Sequence, residues 1–254
     1  MTFENTANRE RNQSKVRIAL SIIIWTTCTI VTVILFFIVL FLTIILFPFD
    51  KKRKAGHVAC FWWANTICNL NPYWKLRVHG LENIDNRKAY VIVANHQSLG
   101  DILLMYKTHI QFKWVAKESL FKVPFIGWNL SLIKHIKLSR GQFGSIKKTY
   151  QEAAKWLRSG MSVLFFPEGT RSDSDEMGEF QNGAFKLAIK EKKPILPVRI
   201  KGIREAVPKG SWIFKTKVFG SITVLPPIDT ENLKTSDFLK LKNAARVELE
   251  SVAT

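Results

Sequence analysis

At 254 residues with 47% apolar content, the chain can fill the core of an ordinary domain with an appendage, which argues against a disordered protein. Lys and Arg number 38 against 20 Asp and Glu, a formal net charge of +18 that asks for an anionic partner such as nucleic acid, anionic lipid or a phosphorylated substrate. The three cysteines, Cys28, Cys60 and Cys68, have neither the even count of a disulfide framework nor metal-ligand spacing, so they are expected as buried hydrophobes in a reducing compartment.

Residues 1–14 are polar, show no apolar period and are expected to form a loose tail. Ile18 to Phe49 is a run of 32 residues without a charge, whereas roughly 20 suffice to span a bilayer. The run is far longer than the apolar stretch of a signal peptide and ends in Asp50-Lys51-Lys52-Arg53-Lys54 without a small-residue cleavage pattern, so it is expected to stay attached and in lipid. Basic residues flank both ends, which leaves a tilted span and a re-entrant hairpin equally open. His57 to Trp74 is uncharged and carries three tryptophans; it suits either the headgroup interface or a helix packed on the core. Residues 15–74 are therefore read as a membrane-inserted helical module.

From Lys75 onward, the apolar runs "AYVIVAN", "KWVAK", "HIKLS", "SVLFFP" and "ILPVRIKG" alternate with stretches of helix-forming length. Helices are expected over 145–159, closed by Gly160, and over 235–252. The fold class expected for 75–254 is α/β, a mostly parallel sheet flanked by helices.

"NHQSLGD", residues 95–101, follows the first of these strands. Ser98-Leu99-Gly100-Asp101 fits a capping box that starts a helix at Ser98 and leaves His96 in the turn. If residues 96–101 were all helical, an offset of five would rotate the two side chains about 140° apart. With His96 in the turn, Asp101 can fold back and accept from one imidazole nitrogen, leaving the other as a base. The same residues also fit a plain helix cap beside an ordinary loop histidine. "FPEGTRS", residues 166–172, ends a second strand; Gly169 can take the positive φ of a tight turn, and Arg171 offers a fork suited to phosphate. Glu168 would repel such a phosphate unless paired with a cation or a substrate hydroxyl, which points to a polyol phosphate. In an open α/β sheet the two turns can face one crevice.

Together, "NHQSLGD", "FPEGTRS" and "ILPV" at 195–198 resemble, in that order, the signature blocks of the glycerolipid acyltransferases, in particular the 1-acylglycerol-3-phosphate acyltransferase branch. A further block would fall at "KHIKLSR", residues 134–140, where Arg140 fits the family's arginine while Lys134 stands in place of its glycine. The resemblance implies transfer of an acyl chain from acyl-CoA or acyl-carrier protein to the free hydroxyl of lysophosphatidate, giving phosphatidate. It implies His96 and Asp101 as the catalytic pair, Glu168, Gly169, Thr170 and Arg171 with Arg140 at the acceptor's phosphate and glycerol, membrane lipid as a partner, and a membrane-bound catalytic domain on the cytoplasmic face. Lys117 is a candidate donor or membrane contact. An acyltransferase acting on another lysolipid or on glycerol 3-phosphate, and a membrane-bound lipid esterase or thioesterase, use the same base and stay open. No cofactor or metal is expected, since the five histidines lack ligand spacing and no nucleotide-binding glycine loop occurs. No nucleic-acid-binding signature accompanies the charge.

Overall fold

The computed structural model describes residues 2–139, 143–172, 176–206 and 210–252. Its strands are β1 (Trp74–His79), β2 (Val91–Ala94), β3 (Phe112–Lys117), β4 (Ile136–Leu138), β5 (Ser162–Phe165), β6 (Ile195–Lys201) and β7 (Val218–Val224). They form one sheet in the order β1-β7-β6-β2-β5-β3-β4, parallel throughout except for β6 against β7. The five apolar runs read from the sequence are β2 to β6. β1 and β7 are additional, and their alternating burial marks a sheet half with one wet face.

The helices are α1 (Thr2–Ile45), α2 (Lys54–Asn69), α3 (Gly100–Lys107), α4 (Ile126–Leu132), α5 (Phe143–Arg158), α6 (Gly183–Glu191) and α7 (Phe238–Ser251). α1 to α3 contribute to or pack against the apolar core on one face of the sheet; α5 to α7 cover the other. Fully buried Val91, Val93, Val163 and Ile195 side with the second core, while Ile92, Leu164 and Leu196 side with the first, the period of two expected of a strand covered on both faces.

Two local expectations change, at the tail and at the start of α3, and one open reading is resolved. The tail at 2–13, expected to be loose, continues α1 as helix; it holds no Gly or Pro, and extending a helix already nucleated by the apolar run adds one hydrogen bond per residue fixed. The stretch from His57 is mainly a core-packing helix followed by β1. His57, Cys60, Phe61, Ala64 and Cys68 of α2 are buried, Trp74 is buried, and Trp62 alone of the three tryptophans is well exposed, at 64%. α3 starts at Gly100 with Leu99 as its N-cap, one residue later than the expected cap at Ser98. α1 is long and apolar enough to cross a membrane over Ser14–Ile45, with only 17% of its most apolar window buried. One side of it is nevertheless built into the fold: Leu35 and Val39 lie in the first core, and α1 packs on α2 and α4.

The α1–α2 turn is held by Asp50. Its two carboxylate oxygens accept from the Lys54 and Ala55 amides at 2.9 Å each, so the acid before the basic run caps α2. Cys60 and Cys68 are buried free thiols, as expected, and Cys28 is half-buried. Burial pushes the Cys60 thiol up to about 12.

Candidate active site at the ends of two adjacent strands

β2 and β5 are adjacent and parallel, with Val93 opposite Phe165, so the turns that follow them leave the sheet side by side. Asn95 fixes the first turn. Its side-chain amide donates to the Ile200 carbonyl at 2.9 Å and its oxygen accepts from the Ile200 amide at 2.7 Å, imitating one more rung of pairing with β6. His96 then departs from the strand into the crevice.

Asp101 folds back onto that turn from the first turn of α3. A single oxygen, Oδ2, accepts from the Gln97 amide at 2.6 Å and the Ser98 amide at 2.8 Å, and lies 2.7 Å from His96 Nδ1. The Ser98 contact is half of the expected capping box. The other half is altered, since Ser98 Oγ accepts from Gly100 N–H at 3.2 Å. The geometry therefore joins the two readings of the stretch, because one carboxylate both caps the turn and holds the imidazole. An ionised carboxylate only accepts, so Nδ1 carries the proton and Nε2 is left with a free lone pair. Asp101 is fully buried, whereas the His96 side chain keeps 19% exposure. Phe166 stacks on the imidazole, centroids 4.0 Å apart and planes 12° from parallel, and so restricts ring rotation.

The second turn locks onto the first. Gly169 sits at φ 72°, as its place in a tight turn requires, and its amide donates to the Phe166 carbonyl at 3.0 Å. Glu168 accepts from the His96 amide through Oε1 at 2.8 Å and from the Gly178 amide through Oε2 at 2.9 Å. Ser172 N–H donates to the His96 carbonyl at 2.9 Å. The Glu168 carboxylate, expected to need a cation or a substrate hydroxyl, is thus spent on backbone amides that tie the two motifs together.

His96, Gly169, Thr170, Arg171 and Lys117 all line one cavity of about 930 Å³. Glu168 and Asp101 stand behind it. Among the described residues, no carboxylate lies within ion-pair distance of Arg171. From His96 the cavity continues between α1, α2 and α4, where apolar surface dominates: Cys28, Leu35, Ile67, Leu103 and Ile133 are among its walls. Arg140 lies outside the described residues. Lys134, at the position where the resemblance places a glycine, sits at φ 59° in the left-handed region that favours glycine.

Sequence reasoning missed Phe166 and Asn95, whose roles arise from neighbours on other strands. It also missed the wall that α1 gives the cavity. There, Trp25 Nε1–H donates to the Trp212 carbonyl at 2.7 Å and Ser21 Oγ accepts from the Phe214 amide at 2.9 Å, seating the loop before β7 on the helix.

At the opposite end of β3 lies a second buried polar group that the sequence did not announce. Lys113 is fully buried, donates to the Lys52 carbonyl at 2.7 Å and the Ile133 carbonyl at 2.6 Å, and stands over the Trp156 ring at 4.7 Å. Burial pulls its ammonium down to about 7 despite Asp50 nearby. His57 and His135 are buried beside it, their ring centroids 6.0 Å apart, and burial holds both well below the usual histidine range.

A family-wide profile described as "Acyltransferase" matches residues 75–201. The chloroplastic 1-acyl-sn-glycerol-3-phosphate acyltransferase LPAT1 of Arabidopsis thaliana is 34% identical over 161 residues, 63% of this chain and 45% of that protein. A 1-acyl-sn-glycerol-3-phosphate acyltransferase of Chlamydomonas reinhardtii is 37% identical over 164 residues, 64% and 49% of the two chains. The match thus spans about half the length of these curated relatives. The crystal structure of the 1-acyl-sn-glycerophosphate acyltransferase PlsC from Thermotoga maritima superposes with a TM-score of 0.74 at 25% identity, covering 95% of this chain and 99% of that one. The α/β fold is therefore shared along nearly the whole molecule, including the apolar N-terminal helix. With the profile matching half of its 254 residues, among them both turns of the crevice, the chain belongs to the acyltransferase family.

Proposed function

We propose that the protein transfers an acyl chain from an acyl thioester, carried by coenzyme A or acyl-carrier protein, to the free hydroxyl of lysophosphatidate, forming phosphatidate. The observation that carries this reading is the meeting of a carboxylate-held imidazole, an arginine with no carboxylate partner among the described residues and a long apolar cavity in one crevice. His96 Nε2 takes the hydroxyl proton as that oxygen attacks the thioester carbonyl. The tetrahedral intermediate then collapses, the carbon–sulfur bond breaks, and the leaving sulfur takes the proton from the imidazolium, so the carrier departs as its thiol and His96 is returned as a neutral base. Asp101 is the positioning residue for the ring. Arg171 holds the acceptor phosphate with Gly169 and Thr170 beside it, and Arg140 is proposed as a second phosphate contact. Lys117, exposed at the end of β3 on the cavity's rim, is proposed to meet the donor's phosphates or the lipid surface. Glu168 serves the acceptor by shaping the turn.

Residues 15–74 act as the membrane-associated module and 75–254 as the acyltransferase domain, the acyl chain lying where the two share a core. Contacts from Ser21 to Leu42 bind one side of α1 to the rest of the molecule, which favours a helix lying in one leaflet over a free transbilayer span. Both basic flanks then lie on the same side, which we take to be the cytoplasmic face, and the positive-inside conflict disappears.

The test is acyl transfer by detergent-purified protein, with labelled acyl thioesters offered lysophosphatidate, glycerol 3-phosphate, a neutral lysolipid or no acceptor. Phosphatidate formed only with lysophosphatidate, and lost in His96→Ala, is expected. Free fatty acid released without any lipid product would overturn the reading in favour of a hydrolase.

A further inference from the structure

α7 lies beyond the residues shared with the family profile, yet two of its side chains reach the segment 177–180 that follows the second turn of the crevice. Arg246 donates from Nη1 to the Gly178 carbonyl and from Nη2 to the Met177 carbonyl, each at 2.9 Å. Its Nε donates to Glu250 Oε1 at 2.8 Å one helical turn away, and its guanidinium lies over the Phe180 ring at 5.5 Å. Lys242, one turn earlier on the same helix, reaches the Phe180 carbonyl at 3.4 Å. The face of α7 that carries the two bases thus holds the segment 177–180 by its carbonyls.

The Met177–Gly178 peptide is the joint. Its carbonyl accepts from Arg246, and its N–H is the one that donates to Glu168 Oε2. Glu168 Oε1 in turn accepts from the His96 amide. A cation and a peptide dipole thus donate in sequence onto one oxygen of the Glu168 carboxylate, whose other oxygen accepts from the backbone amide of the base, so the two hydrogen-bonded arms converge on Glu168 and connect Arg246 to His96. Gly178 lies close against Glu168, since a Cβ there would stand 3.3 Å from Oε2. The far end of the loop is closed by Gln181 N–H on the Pro167 carbonyl at 2.9 Å.

We propose that Arg246 is a positioning residue for the acceptor site: acting through the Met177–Gly178 peptide and Glu168, it sets the 166–172 turn at the distance from His96 that acceptor binding needs. The inference rests on reading that turn as the acceptor-phosphate site. It gives the C-terminal helix a part in acceptor affinity, separate from the packing of Leu241, Ala245 and Leu249 into the second core.

The experiment is steady-state acyl transfer from labelled oleoyl-CoA to lysophosphatidate by the full chain in detergent, for wild type, Arg246→Ala, Arg246→Lys, Glu168→Gln and the Arg246→Ala/Glu168→Gln double variant. Loss of charge-assisted hydrogen bonds to the loop is expected to raise the acceptor KM about tenfold in Arg246→Ala, with the donor KM unchanged. Lysine, which lacks the fork, is expected to restore about half of that loss on a logarithmic scale. In the Glu168→Gln background, Arg246→Ala is expected to add less than about twofold, because residues acting through one another are not additive. An unchanged acceptor KM, or two effects that simply multiply, would overturn the proposal. If Arg246→Ala does not fold, the lysine variant alone and in the Glu168→Gln background decides by the same two criteria. Turnover surviving in His96→Ala would instead bring down the reading of the site itself, so the two failures are distinguishable.

Discussion

β3 separates two places where the fold buries titratable groups, and they are built on opposite rules. Beyond the ends of β2 and β5, Asp101 Oδ2 and the two Glu168 carboxylate oxygens accept from five donors, four of them backbone amides and one the His96 ring, while Asp101 Oδ1 meets none among the described residues. At the start of β3, Lys113 has two carbonyls, while neither ring nitrogen of His57 nor Nε2 of His135 meets a hydrogen-bond partner among the described residues. In the first place, burial organises charge and aims a lone pair at a crevice. In the second, it works against charge, pulling an ammonium down to about 7 and holding two imidazoles neutral. A buried ionisable group is thus no sign of a catalytic site by itself, even where, like His135, it borders the cavity; the donors arranged around it decide.

Four substitutions bear on this contrast, from the largest expected effect to the smallest. His96→Ala should lower phosphatidate formation by about 10²- to 10⁴-fold, the usual range for a lost general base, while the variant still folds and partitions into membranes. Turnover near wild type would remove the base from the organised end. Arg171→Ala should act chiefly on the acceptor, raising its KM by about tenfold or more as a charge-assisted phosphate contact is lost. An unchanged acceptor KM together with an unchanged kcat/KM would take Arg171 out of the phosphate site.

Lys113→Met probes the other end. The folded-state pKa of Lys113 is about 7 against an ordinary 10.5, so between those values the unfolded chain binds more protons, and stability rises with pH. The penalty is complete below about pH 7 and gone above about 10.5. Thermal melts of detergent-solubilised protein between about pH 7.5 and 9.5 should show a rise of at most about 1.4 kcal/mol per pH unit from this group, and the methionine variant should lose it. An equal slope in both proteins would mean the ammonium is not destabilised by burial. Lys134→Gly relieves a left-handed backbone at the cost of glycine's greater freedom when unfolded, so a gain of roughly 0.5 kcal/mol, or a slightly higher Tm, is expected with kinetics unchanged. A lower Tm would show that the lysine side chain contributes more than the strain costs.

Much of this was legible in the sequence, for reasons that are local. β2, β5 and β6 were readable because strands covered on both faces are nearly continuous apolar runs, and β3 and β4 from shorter runs interrupted by lysine. The apolar N-terminus follows from 32 uncharged residues, and the turns at His96 and Gly169 from the residues that stop strands and start helices. β1 and β7 were not read, because a wet face dilutes their pattern. The expected cap at Ser98 was half right, since spacing marks which residues lie near a helix start but not which oxygen receives which amide.

The sequence by itself therefore determined the class of the fold, the two signature turns and an apolar segment long enough to cross a membrane. Those follow from periodicity and covalent neighbourhood, which any chain carries within a few residues. Only the tertiary structure decided that Glu168 is a tie between the turns, that Phe166 lies on the His96 ring, that α1 walls the cavity, and that Arg246, 78 positions beyond Glu168, reaches the same loop. Each of these depends on which strands and helices become neighbours. That is settled by the packing of the whole core, and no local spacing encodes it.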